Sequence, residues 1–278
     1  MHMATETPSM SVTPPATGAS RGSYLRRTAT AFFLGLVGLL VLGAYTTLYT
    51  PPPGLDPLVT FVSVVVNNGL VLLVAVLLGA YAAPRVGLRS HLLARTAGDE
   101  PPETTLREEL PLAAGIGVAS SVVVLLLDVA FAPFVADALA RLPQGSGTVE
   151  SVLAYVPVRF LYGGITEELM LRFGLMVLLA FAGYRLFDRG AATPSARVLW
   201  AAIVVSALLF GVGHLPALSA SLGELAPLLV VRTLLLNTVA GVAFGWLYWR
   251  KSLEAAMVAH ASFHVLLVVL SLVSIALV

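Results

Sequence analysis

The 278-residue sequence contains no cysteine. Disulfide bonds, thiolate metal sites and a cysteine nucleophile are therefore excluded, and any enzymatic chemistry must use other side chains. Charged residues are also scarce: they make up 11% of the chain, whereas soluble proteins contain roughly 25%. The formal net charge is only +1, so the sequence lacks the basic excess of nucleic-acid-binding proteins, and we expect no nucleic-acid partner.

Apolar residues are abundant instead, at 58% of the chain with a mean hydropathy of +0.92. Long apolar runs recur at intervals that match the ~20 residues needed to cross a bilayer as a helix. We therefore predict an all-α, polytopic transmembrane helix bundle in a lipid bilayer, with a transmembrane domain over residues 29–278. Its seven predicted spans cover approximately residues 30–49, 58–82, 110–132, 152–182, 198–215, 226–249 and 253–277.

Three segments carry separate expectations. Residues 1–28 are rich in Thr, Ser, Pro and Ala without an apolar period, which predicts a disordered tail. Residues 84–109 have mixed charges and predict a solvated connector between the second and third spans. The fourth span is long enough to hold a tilted span plus an interfacial turn, with a break at Gly163 and Gly164.

The distribution of Arg and Lys predicts the orientation, because short loops rich in these residues stay in the cytoplasm. Both residue types concentrate in the N-terminal tail and in the second, fourth and sixth loops, whereas the odd-numbered loops hold only Arg141. We therefore predict a multi-pass protein of the cell membrane with its N-terminus in the cytoplasm.

Ionisable residues inside the predicted spans fall almost entirely in the C-terminal half. A charge at the bilayer centre costs roughly 2.5–3.5 kcal/mol on insertion scales, so such residues usually face the bundle interior and mark a working site. Arg159 is interpreted as a snorkelling residue near the outer surface, and Arg232 as a partner of neighbouring helices or of Asp128. The others are candidate site residues: Glu167, Glu168, Arg172, His214, His260 and His264.

Helical spacing gives the two adjacent glutamates different surroundings. Glu168 and Arg172 are four residues apart, the spacing at which a carboxylate and a guanidinium share a helix face and pair. Glu167 is turned by about 100° from Glu168 in an α-helix, so it cannot share that pair. Glu167 is therefore the candidate base.

The histidines follow the same four-residue spacing on two other spans. Phe210 and His214 share a face of the fifth span, and His260 and His264 share a face of the seventh. We predict that these histidines and Glu167 converge inside the bundle.

The three patterns together resemble a known family. TEELMLRF carries a Glu-Glu-x-x-x-Arg motif, FGVGH carries Phe-x-x-x-His, and the stretch that begins at His260 fits a third motif. In this order, each inside an apolar span, they are similar to the type II CAAX prenyl endopeptidase family, also called CPBP or Abi. The resemblance covers a core of about residues 150–270.

The resemblance implies a membrane-embedded endopeptidase that removes the last three residues of a prenylated protein substrate, or cuts another peptide in its place. Carried over to this sequence, Glu167 and His214 would activate the water, and His260 would help to stabilise the oxyanion. Glu168 and Arg172 would hold the site together. Peptide hydrolysis needs such a base and such hydrogen-bond donors.

One position departs from the family pattern. The family usually has Asn four residues after the third-motif histidine, where this sequence has His264. An imidazole can donate the same hydrogen bond, but it also creates a set that would suit Zn²⁺: Glu167, His214, His260 and His264. Zinc-dependent and metal-free glutamate catalysis both stay open, and no cofactor is required by the sequence.

Two further questions are left by the sequence. If the spans run straight, His214 lies near the outer end of its helix and deeper residues cannot share one water with it, unless a helix break or a tilt of about 20° or more brings them level. Besides an endopeptidase, the chain is compatible with a non-catalytic scaffold or bacteriocin-immunity-type protein, and with a proton-coupled transporter that uses intramembrane Glu and His as a relay.

Overall fold

The computed structural model describes residues 20–141 and 147–277, which form helices and no strand. Seven of the eight helices in these residues are long and apolar enough to cross a membrane, and α3 is a short connector helix. The predicted all-α bundle with seven spans is confirmed. The helices are α1 (Arg21–Tyr49), α2 (Pro57–Val86), α3 (His91–Ala97), α4 (Leu106–Ala140), α5 (Val149–Phe187), α6 (Ala196–Leu222), α7 (Pro227–Arg250) and α8 (Leu253–Ala276).

Helix α1 begins earlier than its hydropathy predicts. The Ser20 hydroxyl accepts a hydrogen bond from the amide of Ser23 and caps the helix, which starts at Arg21. The predicted tail is therefore wrong for residues 20–28, while residues 1–19 lie outside the described part of the chain. The fully buried Arg27 explains the error, because it pairs with Asp99 and donates to the carbonyl of Ala80 at 3.0 Å. An arginine that is paired in this way can belong to a span.

The connector between α2 and α4 is also more ordered than predicted. The Glu254 carboxylate, at the start of α8, accepts hydrogen bonds from the Ser90 hydroxyl at 2.6 Å and from the amides of His91 and Leu92 at 3.0 and 2.9 Å. A carboxylate at these free N–H groups of the first turn of α3 is electrostatically favourable. The prediction of a simple solvated connector is wrong, because its polar groups dock it onto the bundle.

Helix α5 lies at the centre of the bundle, in contact with α1, α2 and α8. Glycines allow the close approach: a Cβ added at Gly38 of α1 would collide with the carbonyl of Leu161, and one at Gly79 of α2 with that of Phe173. Thr166 is fully buried, and its hydroxyl donates to the carbonyl of Gly35 at 2.8 Å. The backbone next to Glu167 is therefore held by α1.

The middle of α5 has π-helical geometry, over Val158–Glu167 and again over Leu169–Met176, with α-helical ends. The helix continues through Gly163 and Gly164, so the predicted break at these glycines is wrong. A Cβ at Gly163 would lie 3.0 Å from Nε2 of His264, which shows that the glycine makes room for an imidazole. Short π-helical turns inside α-helices are frequent at functional sites.

Candidate active site

A cavity of about 300 Å³ inside the bundle brings together side chains from three predicted motifs. Glu167 enters it from α5, His214 from α6, and His260 and His264 from α8. The remaining wall contains apolar residues such as Leu42 of α1 together with the polar side chains of Arg159 and Asn237. The predicted convergence of these four residues on one pocket is confirmed.

The expected difference in depth between His214 and Glu167 disappears in the structure. Helix α6 continues through Pro216 to Leu222, so His214 is an interior residue of the helix and not one near its end. The cavity lies toward the end of the bundle opposite the Arg-rich loops, since Leu42, Arg159 and His214 each stand within about ten residues of that end of their helix.

Glu168, Arg172 and His260 form one buried network beneath the cavity. Oε1 of Glu168 lies 3.1 Å from NH1 of Arg172 and 2.8 Å from Nδ1 of His260. NH2 of Arg172 donates to the carbonyl of Gly241 in α7 at 3.1 Å. The predicted pairing of Glu168 with Arg172 is thus confirmed, and the network also joins α5 to α7 and α8. Removing one partner of a buried pair of this kind strongly destabilises the protein.

Glu167 points away from this network and into the cavity. Its Oε2 lies 3.9 Å from Nε2 of His260, too far for a direct hydrogen bond. This is the ion-pair contact that Glu167 makes within the described residues. The two neighbouring carboxylates therefore differ as predicted: Glu168 is engaged by protein groups, and Glu167 is available to a ligand.

The ring orientation of His214 is fixed by its own helix. Nδ1 lies 2.9 Å from the carbonyl oxygen of Phe210, one turn earlier. A carbonyl can only accept, so Nδ1 carries the hydrogen and Nε2 of the neutral ring keeps a lone pair. The phenyl ring of Phe210 packs edge-on against the imidazole and lies 5.2 Å from the guanidinium carbon of Arg172. His214 is thereby set as a hydrogen-bond acceptor on the wall of the cavity that Glu167 also lines.

His264 has the opposite tautomer. Its Nδ1 lies 3.4 Å from NH1 of Arg159, and because a guanidinium can only donate, Nδ1 is the acceptor. The neutral ring then carries its hydrogen on Nε2, the atom that faces Gly163. The ring stacks on that of His260, with centroids 5.0 Å apart and planes at 27°. His264 therefore carries a hydrogen-bond donor, as an Asn side chain would, on a ring that lines the cavity.

Arg159 is a cavity residue that the sequence interpretation missed. Its guanidinium lies over the Tyr155 ring, 5.1 Å from the centroid, and borders the same cavity as Glu167. The snorkelling interpretation is wrong, because the side chain turns inward to His264. One signal was available in the sequence: no acidic residue lies three or four positions from Arg159. By contrast, Arg232 pairs with Asp128 at 2.6 Å, as the sequence allowed.

The residues of the cavity do not form a metal-ligand group. Among the described residues, no three or more His, Asp and Glu side chains are arranged to hold a metal ion. The zinc set considered from the sequence, Glu167, His214, His260 and His264, is therefore not supported, and we derive no step through a metal.

The fold and cavity define a multi-pass membrane protein with a polar site enclosed by its spans. Residues 149–266 match the family model described as Rce1-like, type II CAAX prenyl endopeptidase. The match runs from α5 into α8, contains every candidate site residue and confirms the resemblance given by the three motifs. This part of the chain is thus similar to a family of CAAX-type intramembrane proteases, and the similarity implies a bilayer environment and a peptide substrate. Comparisons with curated proteins and with solved structures give no match.

Proposed function

We propose that the protein is an intramembrane endopeptidase that uses a water molecule activated by Glu167 and His214. The observation that carries this proposal is the division of labour between two adjacent carboxylates. Glu168 is engaged by Arg172 and His260, whereas Glu167 faces a cavity that His214 also lines. Because Nδ1 of His214 is bonded to the Phe210 carbonyl, Nε2 is the acceptor of the ring when it is neutral. A carboxylate and an imidazole acceptor on one cavity can together orient and deprotonate water.

In the proposed reaction, Glu167 takes a proton from the water, and the resulting hydroxide attacks the carbonyl carbon of the scissile peptide bond. The negative charge moves to the carbonyl oxygen. When the tetrahedral intermediate collapses, the C–N bond breaks and Glu167 returns the proton to the leaving amine. His214 accepts the second hydrogen bond of the water through Nε2 and fixes its position. Such positioned acid–base groups typically contribute 10²–10⁴-fold to a rate.

The two histidines of α8 would bind the oxygen that becomes negative. Neutral His264 offers an Nε2–H because Arg159 occupies the acceptor at Nδ1. His260 donates from Nδ1 to Glu168, so it offers a second donor at Nε2 when it is protonated. Fixed donors of this kind act where the charge develops and need no rearrangement.

We propose a membrane-associated peptide, prenylated or not, as the substrate, and a cell-membrane location with the N-terminus in the cytoplasm. The Arg-rich loops support that orientation. The cavity then lies toward the outer half of the bundle.

The test is peptide cleavage by the purified full-length chain, with a panel of prenylated and unprenylated reporter peptides. Wild-type protein should cut at least one reporter, whereas Glu167→Gln and His214→Ala should lose activity by about 10²-fold or more. Cleavage that is unchanged in both variants would refute the proposal. A scaffold would cut no reporter and keep its biological effect in both variants, and a transporter would move a solute without cutting a peptide.

A further inference from the structure

Among the described residues, no anion matches the cation Arg159 inside the bundle. A guanidinium stays charged in proteins, and a charge within a membrane span normally has an opposite partner. The other interior arginines follow this rule, since Arg172 pairs with Glu168, Arg27 with Asp99 and Arg232 with Asp128. No carboxylate of the described residues lies within ion-pair distance of Arg159, whose polar contact is His264 Nδ1.

The donors of Arg159 exceed the contacts that the protein supplies. A guanidinium has five N–H donors in a planar fork, and one of them is directed to His264 at 3.4 Å. The Tyr155 ring covers one face of the group. Arg159 also borders the cavity that holds Glu167. The fork is therefore suited to a planar anion in the cavity, and a carboxylate binds such a fork through two parallel hydrogen bonds.

The separation between Arg159 and Glu167 indicates how far that anion lies from the scissile bond. The two residues are eight positions apart on α5. An α-helix would separate them by about 12 Å along its axis, and the π-helical geometry of Val158–Glu167 makes this separation shorter. An extended peptide covers about 3.3 Å per residue, so at most about three residues fit between the two positions. The cavity of about 300 Å³ accommodates a short peptide end and not a folded segment.

We infer that Arg159 is the binding site for the free C-terminal carboxylate of a peptide cut no more than about three residues before its end. This inference rests on the proposed function for the position of the scissile bond. It makes the protein selective for substrates that end within the cavity, because a chain that continues past Arg159 has no carboxylate to offer there. It also accounts for an arginine in an apolar span whose charge is not balanced by a carboxylate of the described residues.

The binding test uses full-length Glu167→Gln protein, which cannot consume the peptide. The probes are a cysteine peptide with three aliphatic residues after the cysteine, made with a free C-terminal acid and with a carboxamide, and each with and without a farnesyl group. We expect the acid form to bind about tenfold to a hundredfold more tightly than the carboxamide. An acid form lengthened by two residues should lose most of this advantage.

Substitution of Arg159 locates the preference. In the Glu167→Gln background, Arg159→Gln should lower the affinity for the acid peptide to that for the carboxamide. Arg159→Lys should keep part of the difference in affinity between the two peptides, because it retains the charge but loses the planar fork. Arg185→Gln, an exposed change at the other end of the same helix, should preserve the full preference. A thermal unfolding curve for each variant confirms that it is folded.

Three results would overturn the inference: equal affinity for acid and carboxamide, a preference that survives Arg159→Gln, or binding of neither probe. A loss that affects both peptides equally in Arg159→Gln would also overturn it, since Arg159 would then serve only to orient His264. Cleavage by the wild-type chain is measured separately. If the chain cleaves peptides but does not prefer the acid form, the carboxylate site is refuted and the proposed endopeptidase activity is not. If it binds the acid form selectively but cleaves no peptide, the proposed endopeptidase activity is refuted and the carboxylate site is not.

Discussion

Nδ1 of His260 lies 2.8 Å from Oε1 of Glu168, while Nε2 of the same ring lies 3.9 Å from Oε2 of Glu167. One imidazole thus stands between a carboxylate that holds it and a carboxylate that faces the cavity. The ring is packed between Phe244 on one side, at 4.9 Å between centroids, and His264 on the other. The orientation of His260 is therefore set by buried groups before any substrate enters, which is the preorganisation that electrostatic catalysis needs.

The two glutamates should separate activity from stability. Glu168→Gln leaves the buried guanidinium of Arg172 without its counter-charge, and we expect the free energy of unfolding to fall by about 3–5 kcal/mol. Glu167→Gln removes a cavity-facing carboxylate and should change it by less than about 1 kcal/mol. Thermal unfolding of the wild-type chain and of both variants in detergent measures the difference in stability. Equal destabilisation by the two substitutions would show that Glu167 is also a structural ion.

The role of His264 predicts a graded response to substitution. His264→Asn keeps a donor at the position where the family usually has Asn, so the rate should stay within about tenfold of wild type. His264→Ala removes the donor and should lower kcat by about 10²–10³-fold with a smaller effect on KM, because an oxyanion donor acts mainly in the transition state. Steady-state cleavage of one reporter peptide gives both constants. If the His264→Ala variant keeps its activity, groups other than His264 bind the oxyanion.

Neighbouring glycines of α5 offer a matched pair. A Cβ at Gly163 would lie 3.0 Å from Nε2 of His264, whereas one at Gly164 would lie 3.5 Å from the nearest atom, Cβ of Ala261, which is an ordinary contact. Gly163→Ala should therefore displace the imidazole and lower kcat by about tenfold to a hundredfold. Gly164→Ala should retain nearly full activity. If both variants cleave the reporter equally well, the closeness of Gly163 to His264 has no catalytic importance.

The sequence predicted those features that depend on local spacing. Seven spans follow from the lengths of the apolar runs, and the Glu168–Arg172 pair follows from a separation of four residues. The contact of Glu168 with His260 joins residues 92 positions apart, so the packing of α5 on α8 decides it and no local pattern does.

The errors of the sequence interpretation have a common cause. Hydropathy places Arg27 in a tail and Arg159 at the membrane surface, because it gives every charge in a span the same free-energy cost, whether or not the charge is paired. In the fold, Arg27 pairs with Asp99, and Arg159 turns inward and contacts His264.

The absence of cysteine makes the orientation directly measurable. Arg189→Cys lies in the loop between α5 and α6, and Glu224→Cys in the loop between α6 and α7, and both native residues are exposed. With the Arg-rich loops in the cytoplasm, a membrane-impermeant maleimide should label Glu224→Cys on intact cells and Arg189→Cys only after lysis. The cysteine-free parent chain is the control for background. The reverse pattern would place the cavity toward the cytoplasmic leaflet, and the peptide substrate would then have to arrive from the cytoplasm instead of from the outer side.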